Sequence, residues 1–420
     1  MGVPWWVWPQ SVVWVLVHAY LWRRLVANTA VRARTRRAGG LVLLVLAPAV
    51  PAALIALHLM SPAGGRWITW TGFVWYALVV YLLLVLVPVD AVRLVTFLVR
   101  RLRGGPRRSS GPRTGHTPTA PPGPAASPVP AAPAQNPHES TGVPQVALDR
   151  RRFLARVTAV TAGTVAVGVT GYGMATAFSA PRVERTVVRL RGLPSAAAGF
   201  RIALVSDTHL GPFLGRDSLQ RVVGLVNATD PDLVAVPGDL VDGTVADLRA
   251  AVEPLRGLRS RHGTYFTTGN HEYFFDADAW VAHLRTLGVR TLRNSRVALP
   301  HFDLAGVNDV SGAEKADPPD YRRALAGRDV RRPVVLLAHQ PSQAREAEPY
   351  GVDLQLSGHT HGGQFFPGGL LNSLSQPVLS GHGRVGRTQV YVTRGTGFWG
   401  PPVRVGATPE ITLLDLHPDR

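Results

Sequence analysis

Cysteine is absent from the 420-residue chain, which excludes a disulfide framework and any thiolate metal site. Lysine is almost absent as well. Lys315 stands alone beside 44 arginines, a composition bias that carries no functional reading. Acidic residues are scarce in the first third. Residues 1–156 hold only Asp90, Glu139 and Asp149 against 18 arginines, whereas residues 181–420 hold 24 acids against 27 bases. The net charge of +18 therefore divides as about +15 and +3. A basic excess clustered on a folded domain points to nucleic acid. Here the arginines flank apolar stretches, the pattern of membrane topology, and no nucleic-acid partner is expected.

Charge is also missing from three apolar stretches, at about 5–22, 41–60 and 68–89. Each is near the ~20 residues that a spanning helix needs. Pro48 and Pro51 interrupt the second, which a buried span tolerates. With no acidic residue inside them, a transporter's ion path has little to be made from. Arginines crowd the loops after the first stretch (Arg23, Arg24, Arg32, Arg34, Arg36, Arg37) and after the third (Arg93, Arg100, Arg101, Arg103), and only Arg66 lies between the second and third. The positive-inside bias then puts the amino terminus outside and those two loops in the cytoplasm.

The expected organisation has four parts. Residues 1–100 form three transmembrane helices. Residues 101–149 are rich in Pro, Gly and Ala, cannot bury a core, and read as a disordered cytoplasmic linker. Residues 150–180 open with Arg150-Arg151-Arg152-Phe153-Leu154 before a mild apolar run, which reads as a twin-arginine-like signal or a fourth transmembrane helix. Both readings carry residues 181–420, expected as a separate domain, to the outer face of the cytoplasmic membrane.

From Pro181 onward, apolar runs with strand character alternate with helical periodicity, the mark of an α/β domain. Ligands in such folds gather at the carboxyl ends of strands. Five polar motifs fall at the ends of apolar runs: Asp207-Thr-His209, Gly238-Asp239 with Asp242, Gly269-Asn270-His271, His339, and Gly358-His359-Thr-His361. Any one alone is weak, because a single buried histidine is usually a core residue. Together they offer a mixed oxygen and nitrogen set that suits two divalent ions such as Mn, Fe or Zn. A bridging carboxylate can hold such a pair about 3.5–4 Å apart. A further match, Gly395-Thr-Gly397-Phe-Trp-Gly400, fits GxGxxG, but Pro401-Pro402 follows and no helix opens there. It reads as a loop near the site mouth, where Phe398, Trp399 and Arg404 are candidate substrate contacts.

The strings SDTHL, GDLVDG, GNHEY, LAHQP, LSGHTHGGQ and RGTGFWGPPVRVGATPEITLLDL resemble the calcineurin-like metallophosphoesterase superfamily, in its bacterial membrane-associated cell-envelope branch with twin-arginine-like signals. The resemblance covers about residues 185–416. It implies an α/β fold of two sheets in an αββα sandwich, preceded here by an all-α transmembrane region. It implies that Asp207, His209 and His361 bind one ion and that Asn270, His339 and His359 bind the other. Asp239 would bridge them, and His271 would face the substrate as the catalytic residue. The implied reaction is attack on phosphorus by a bridging hydroxide. The implied substrate is a phosphate ester, diester or pyrophosphate of the envelope: a phosphorylated lipid, a nucleotide-linked precursor or a wall polymer. One departure is Asn308-Asp309, where relatives tend to show two acidic residues. The competing reading is a membrane sensor or scaffold whose phosphoesterase-like domain is inactive.

Overall fold

A computed structural model describes residues 7–103 and 145–419. Most of the expected linker, 104–144, lies outside the described residues, as do the first residues of the first apolar stretch.

The amino-terminal region is helical: α1 Val7–Leu21, α2 Ala33–Leu46, α3 Ala49–Leu59, α4 Pro62–Arg103 and α5 Gln145–Ala177. Helix α1 runs on into a π-helical turn, Trp22–Ala27. Pro48 separates α2 from α3, as a residue without an N–H does, and both together make one apolar run. Among the described residues, Ala33–Leu59, Pro62–Arg103 and Arg150–Ala177 are long and apolar enough to cross a membrane. The third stretch is much longer than its apolar run predicts, since α4 continues through Pro88 to Arg103. Basic residues gather at one end of this bundle. Arg24 and Arg93 meet Asp90 at 3.1 and 3.5 Å, and Arg156 donates to the Thr29 carbonyl. The other end, at the α3–α4 turn and Ala177, meets the α/β domain.

That domain is built on β1 Arg182–Leu190, β2 Phe200–Leu204, β3 Leu233–Pro237, β4 Thr264–Thr267, β5 Arg290–Thr291, β6 Ser295–Ala298, β7 Asp303–Gly306, β8 Val334–Leu337, β9 Leu354–Ser357, β10 Gly381–Val385, β11 Thr388–Val392 and β12 Glu410–Pro418. They form two six-stranded sheets, in the orders β1-β12-β2-β3-β4-β5 and β10-β11-β9-β8-β7-β6. Strands β2, β3 and β4 run parallel, as do β7, β8, β9 and β11. The strands that lead into the expected motifs therefore end at one pole.

Side chains alternate along a strand, so each sheet has two apolar faces to bury. Ile202 and Leu204 of β2 join Val335 and Leu337 of β8 and Leu354 and Leu356 of β9 between the sheets. Ala203 and Val205 turn the other way, under α6 Arg216–Ala228 and α7 Val245–Val252, whose Leu219, Val222 and Val252 cover them. On the second sheet, Ala305, Val334 and Leu336 pack outward against Tyr321, Ala324 and Ala347. The result is the four-layer αββα sandwich. Fully burying one such side chain is worth roughly 1.5–3 kcal/mol, and the three apolar layers hold the strand ends in fixed relation.

Candidate metal centre

Each motif occupies the loop just past a strand: Asp207 and His209 after β2, Asp239 after β3, Asn270 and His271 after β4, His339 after β8, and His359 and His361 after β9. The chain turns sharply there. Asp207, His209, Asp239, His359 and His361 all have positive φ, between 45° and 70°. Left-handed backbone is unfavourable for residues with a Cβ, and its concentration in one place marks a site whose geometry the rest of the fold enforces. Two glycines make the close approach possible. A Cβ on Gly358 would lie 2.1 Å from Asp207 Oδ2, and one on Gly269 would lie 2.2 Å from Asp239 Oδ1.

The expected ligands converge in two clusters, in each of which three candidate ligand atoms lie within 4.8 Å of one another. In the first, His209 Nε2 is 3.1 Å from His361 Nε2, and His361 Nε2 is 3.5 Å from Asp207 Oδ1. In the second, His339 Nε2 is 3.1 Å from Asp239 Oδ2, and His359 Nδ1 is 3.3 Å from His339 Nε2 and 3.1 Å from Asn270 Oδ1. Asp239 Oδ2 lies between the clusters, 3.7 Å from His209 Nε2. Ring nitrogens of different histidines converge at hydrogen-bond distance in both clusters, and Asp207 Oδ2 is buried with no donor. Both features fit a cation at each cluster, and the oxygen and nitrogen donors fit the divalent metals that the family implies.

Neighbouring groups set the rings. His339 Nδ1 donates to the Pro237 carbonyl (2.7 Å) and His209 Nδ1 donates to Asp242 Oδ1 (3.0 Å), which leaves Nε2 of each as the free lone pair. Burial, helped by His339 nearby, lowers the pKa of His359 to about 3. Burial, His209 and Arg404 lower that of His361. Both rings are thus neutral, the form that binds a metal. Burial opposes ionisation of Asp239, but the histidines around it, His339 foremost, hold its carboxyl well below the usual carboxylate range.

His271 is arranged differently. Its Nδ1 is 2.6 Å from Asp242 Oδ1, and its Nε2 is 3.8 Å from Asp239 Oδ2. His209, Asp242 and His271 also lie close enough to share an ion, but there the carboxylate already pairs with Nδ1 of both rings. The His271 ring lies between Phe274 and Trp399, with centroids 5.1 and 5.5 Å away. Burial alone would lower its pKa, but Asp239 and Asp242 outweigh that and raise it to about 9.

Of the three residues expected at the mouth, Trp399 is there, 38% exposed, while Phe398 and Arg404 are buried. Phe398 packs on Phe178 and Phe213. The Arg404 guanidinium donates to the carbonyls of Gly397, Ala407 and Arg394 and lies 3.1 Å from His361 Nδ1. It braces the loop behind a candidate ligand and cannot reach a substrate. Asn308 is buried too, its amide donating to the Asp317 carbonyl, so it supports a loop. Its neighbour Asp309 is buried and accepts from Ser311 N and from the Gln340 side chain.

Sequence reasoning missed Glu272. Its buried carboxylate accepts from the backbone N–H groups of Asp239 (3.0 Å), Leu240 (2.8 Å) and Gly269 (2.7 Å), tying the β3 and β4 loops together. Burial and Asp239 raise its pKa to about 7. The signal available was an acid inside GNHEY, directly after two candidate site residues.

With this geometry in place, comparison with known proteins gives a consistent result. The family model for the calcineurin-like phosphoesterase matches residues 200–363. A zebrafish (Danio rerio) protein named as a transmembrane protein with metallophosphoesterase domain is 41% identical over 259 residues, 58% of this chain and 59% of that protein. An uncharacterized metallophosphoesterase of Helicobacter pylori is 40% identical, over 57% of this chain and 64% of its own. The chain thus spans less than two thirds of the length of these curated relatives. The uncharacterized metallophosphoesterase YkuE of Bacillus subtilis is 33% identical over 284 residues, 64% of this chain and 98% of that protein. The fold, the site and these matches together make this chain a member of the calcineurin-like metallophosphoesterase family.

Proposed function

We propose that the chain is a dinuclear phosphoesterase anchored in the cytoplasmic membrane, with its catalytic domain on the outer face, acting on an amphiphilic phosphate of the cell envelope. The observation that carries this reading is the pair of buried clusters flanking one carboxylate oxygen, Asp239 Oδ2. Asp207, His209 and His361 would hold one ion, Asn270, His339 and His359 the other, and Asp239 both. When bound, two such ions supply positive charge that activates water and offsets charge on the phosphate.

The chain's own residues do the rest. Asp242 lies 2.6 Å from Nδ1 of the His271 ring, and Nε2, on the side of Asp239, is the atom that carries the transferable proton of the doubly protonated ring. As the bond from phosphorus to the leaving oxygen breaks, that proton passes to the leaving oxygen. Phe274 and Trp399 flank the ring and restrict water around it.

The substrate class is supported by a cavity of about 650 Å³ lined by Asp242 and Phe274 beside the site, by charged residues such as Arg293 and Lys315, and by Leu57, Met60 and Pro62 around the α3–α4 turn. A phosphate at the metal loops would point an apolar group toward that turn. The arginine-rich end of the bundle, opposite the catalytic domain, supports multi-pass insertion with that end in the cytoplasm.

The test is hydrolysis by the full chain in lipid nanodiscs, with Mn, Fe or Zn supplied. The panel is bis-p-nitrophenyl phosphate, phospholipid vesicles, a nucleoside-diphosphate-linked amphiphile and a polyol-phosphate wall polymer. Metal-dependent cleavage of the soluble diester, with an amphiphile preferred over the polymer, is expected. A folded, metal-loaded chain that cleaves none of them would favour the sensor or scaffold.

A further inference from the structure

Immediately after the His359–His361 loop, the chain carries large apolar side chains on the surface of the α/β domain. Phe366, Leu370, Leu371 and Leu374 are 55%, 61%, 66% and 84% exposed, around the short helix Gly368–Asn372. A soluble domain rarely displays so many in so short a segment without a partner. The partner's chemistry is restricted by what surrounds them. No Asp, Glu, Lys or Arg occurs between Asp353 and Arg384, in a domain otherwise dense in charge. A surface without charge offers no electrostatic complement to a protein or a polymer, whereas it suits hydrocarbon.

The position of this ridge points the same way. Phe365, at its base, packs on Tyr81 of α4, with ring centroids 6.3 Å apart. Helix α4 has 42 residues, a length of about 63 Å, twice the ~30 Å of a hydrocarbon core. Its first turns lie beside the α/β domain, where Trp70 and Phe73 touch Phe213. Trp75 and Tyr76 follow, packed on His18 and Trp14 of α1 in an aromatic cluster of the composition found at membrane–water boundaries. Tyr81 is six residues further along, about 9 Å beyond Trp75 at the helical rise. Interfacial segments bury their apolar faces about 5–10 Å deep. The ridge is therefore level with the outermost hydrocarbon.

We infer that residues 366–374 form a membrane-dipping ridge, seated in the acyl chains of the bilayer that α4 crosses. The inference rests on α4 being a membrane span. Its consequence is orientation. The Asn372 side chain donates to the carbonyl of Thr360, between His359 and His361, so the ridge holds the candidate metal loop at a fixed height above the lipid.

The absence of cysteine makes a clean test possible. Single variants Leu371→Cys, Leu374→Cys, Leu44→Cys and Val330→Cys of the full chain are labelled with an environment-sensitive fluorophore and placed in phosphatidylcholine–phosphatidylglycerol nanodiscs. Lipids carrying a nitroxide on the acyl chain serve as quencher. Leu44 is an exposed residue of the α2 run, and Val330 is exposed near the amino end of β8, at the pole away from the metal loops. Positions 371, 374 and 44 should shift to the blue and lose fluorescence to the nitroxide, while 330 does neither. Quenching at 44 without quenching at 371 and 374 overturns the ridge and leaves the span intact. No quenching at 44 overturns the span and the ridge with it. Labels at 371 that respond to protein concentration and not to the nitroxide would show a second copy of the chain covering the ridge, which also overturns the inference.

Discussion

Polar groups are gathered in two regions of the molecule, and the two are paired in different ways. In the helical bundle, Asp90 accepts from the Tyr20 hydroxyl at 2.8 Å and meets Arg24 and Arg93. All three partners are side chains of the same bundle. At the strand ends of the α/β domain, Asp207 Oδ2 has no donor, and histidine nitrogens face one another at 3.1 and 3.3 Å. Backbone strain accumulates in the second region, at five residues with positive φ. The contrast separates an ion-pair network of opposite charges from a ligand array whose atoms converge on points that a cation would satisfy.

The contrast breaks most directly at the shared carboxylate. Asp239→Asn should reduce hydrolysis of bis-p-nitrophenyl phosphate to background and release metal, as elemental analysis of the purified variant would show. A variant that keeps both would mean that Asp239 is as self-contained as Asp90. The next effect in size concerns His271, which touches both carboxylates yet is proposed to bind no ion. His271→Ala should lower kcat by about 10²–10⁴, the usual worth of general acid catalysis, with metal content unchanged. The loss should shrink for a nitrophenol leaving group, which needs less protonation. Loss of metal in this variant would move His271 into the ligand set.

Asp242 sharpens the comparison further, since it orients both His209 and His271 without a ligand role of its own in the proposed centre. Asp242→Asn should weaken metal affinity by about 10–100-fold, typical for a residue that orients a ligand, measured by competition with a chelator. The smallest effect on catalysis belongs to the bundle. Asp90→Asn should leave kcat and KM on the soluble diester unchanged while costing about 1–3 kcal/mol of stability through unpaired donors, read from thermal unfolding in detergent. A collapse of activity there would show that the two regions are coupled.

Much of the site was legible in the sequence because each candidate ligand follows an apolar run short enough to be a strand. Strand ends in a mostly parallel sheet converge, so order along the chain became proximity in space. What was not legible depends on partners distant in sequence. Arg404 reads as a candidate substrate contact near the site mouth, yet it is buried, with backbone carbonyls of Gly397, Ala407 and Arg394 ringing it. Glu272 reads as an ordinary acid, yet three N–H groups from two loops close on its carboxylate. The short strands β5, β6 and β7 have too few residues for a period to register. Helix α4 outran its apolar stretch because Asp90 and the four arginines past Val89 stand among apolar residues with no helix breaker between them. Nothing in the sequence signalled that the α3–α4 turn would wall the cavity beside Asp242, since that contact joins residues far apart along the chain.

The central claim is a centre for two metal ions, and metal stoichiometry tests it most directly. The full chain, purified with Mn, Fe or Zn in excess and then freed of loose metal, should retain close to two ions per chain. Removing them with a chelator should abolish hydrolysis and lower the unfolding temperature, because ions bound to the folded state stabilise it. A folded chain that retains one ion or none after this loading would contradict the account.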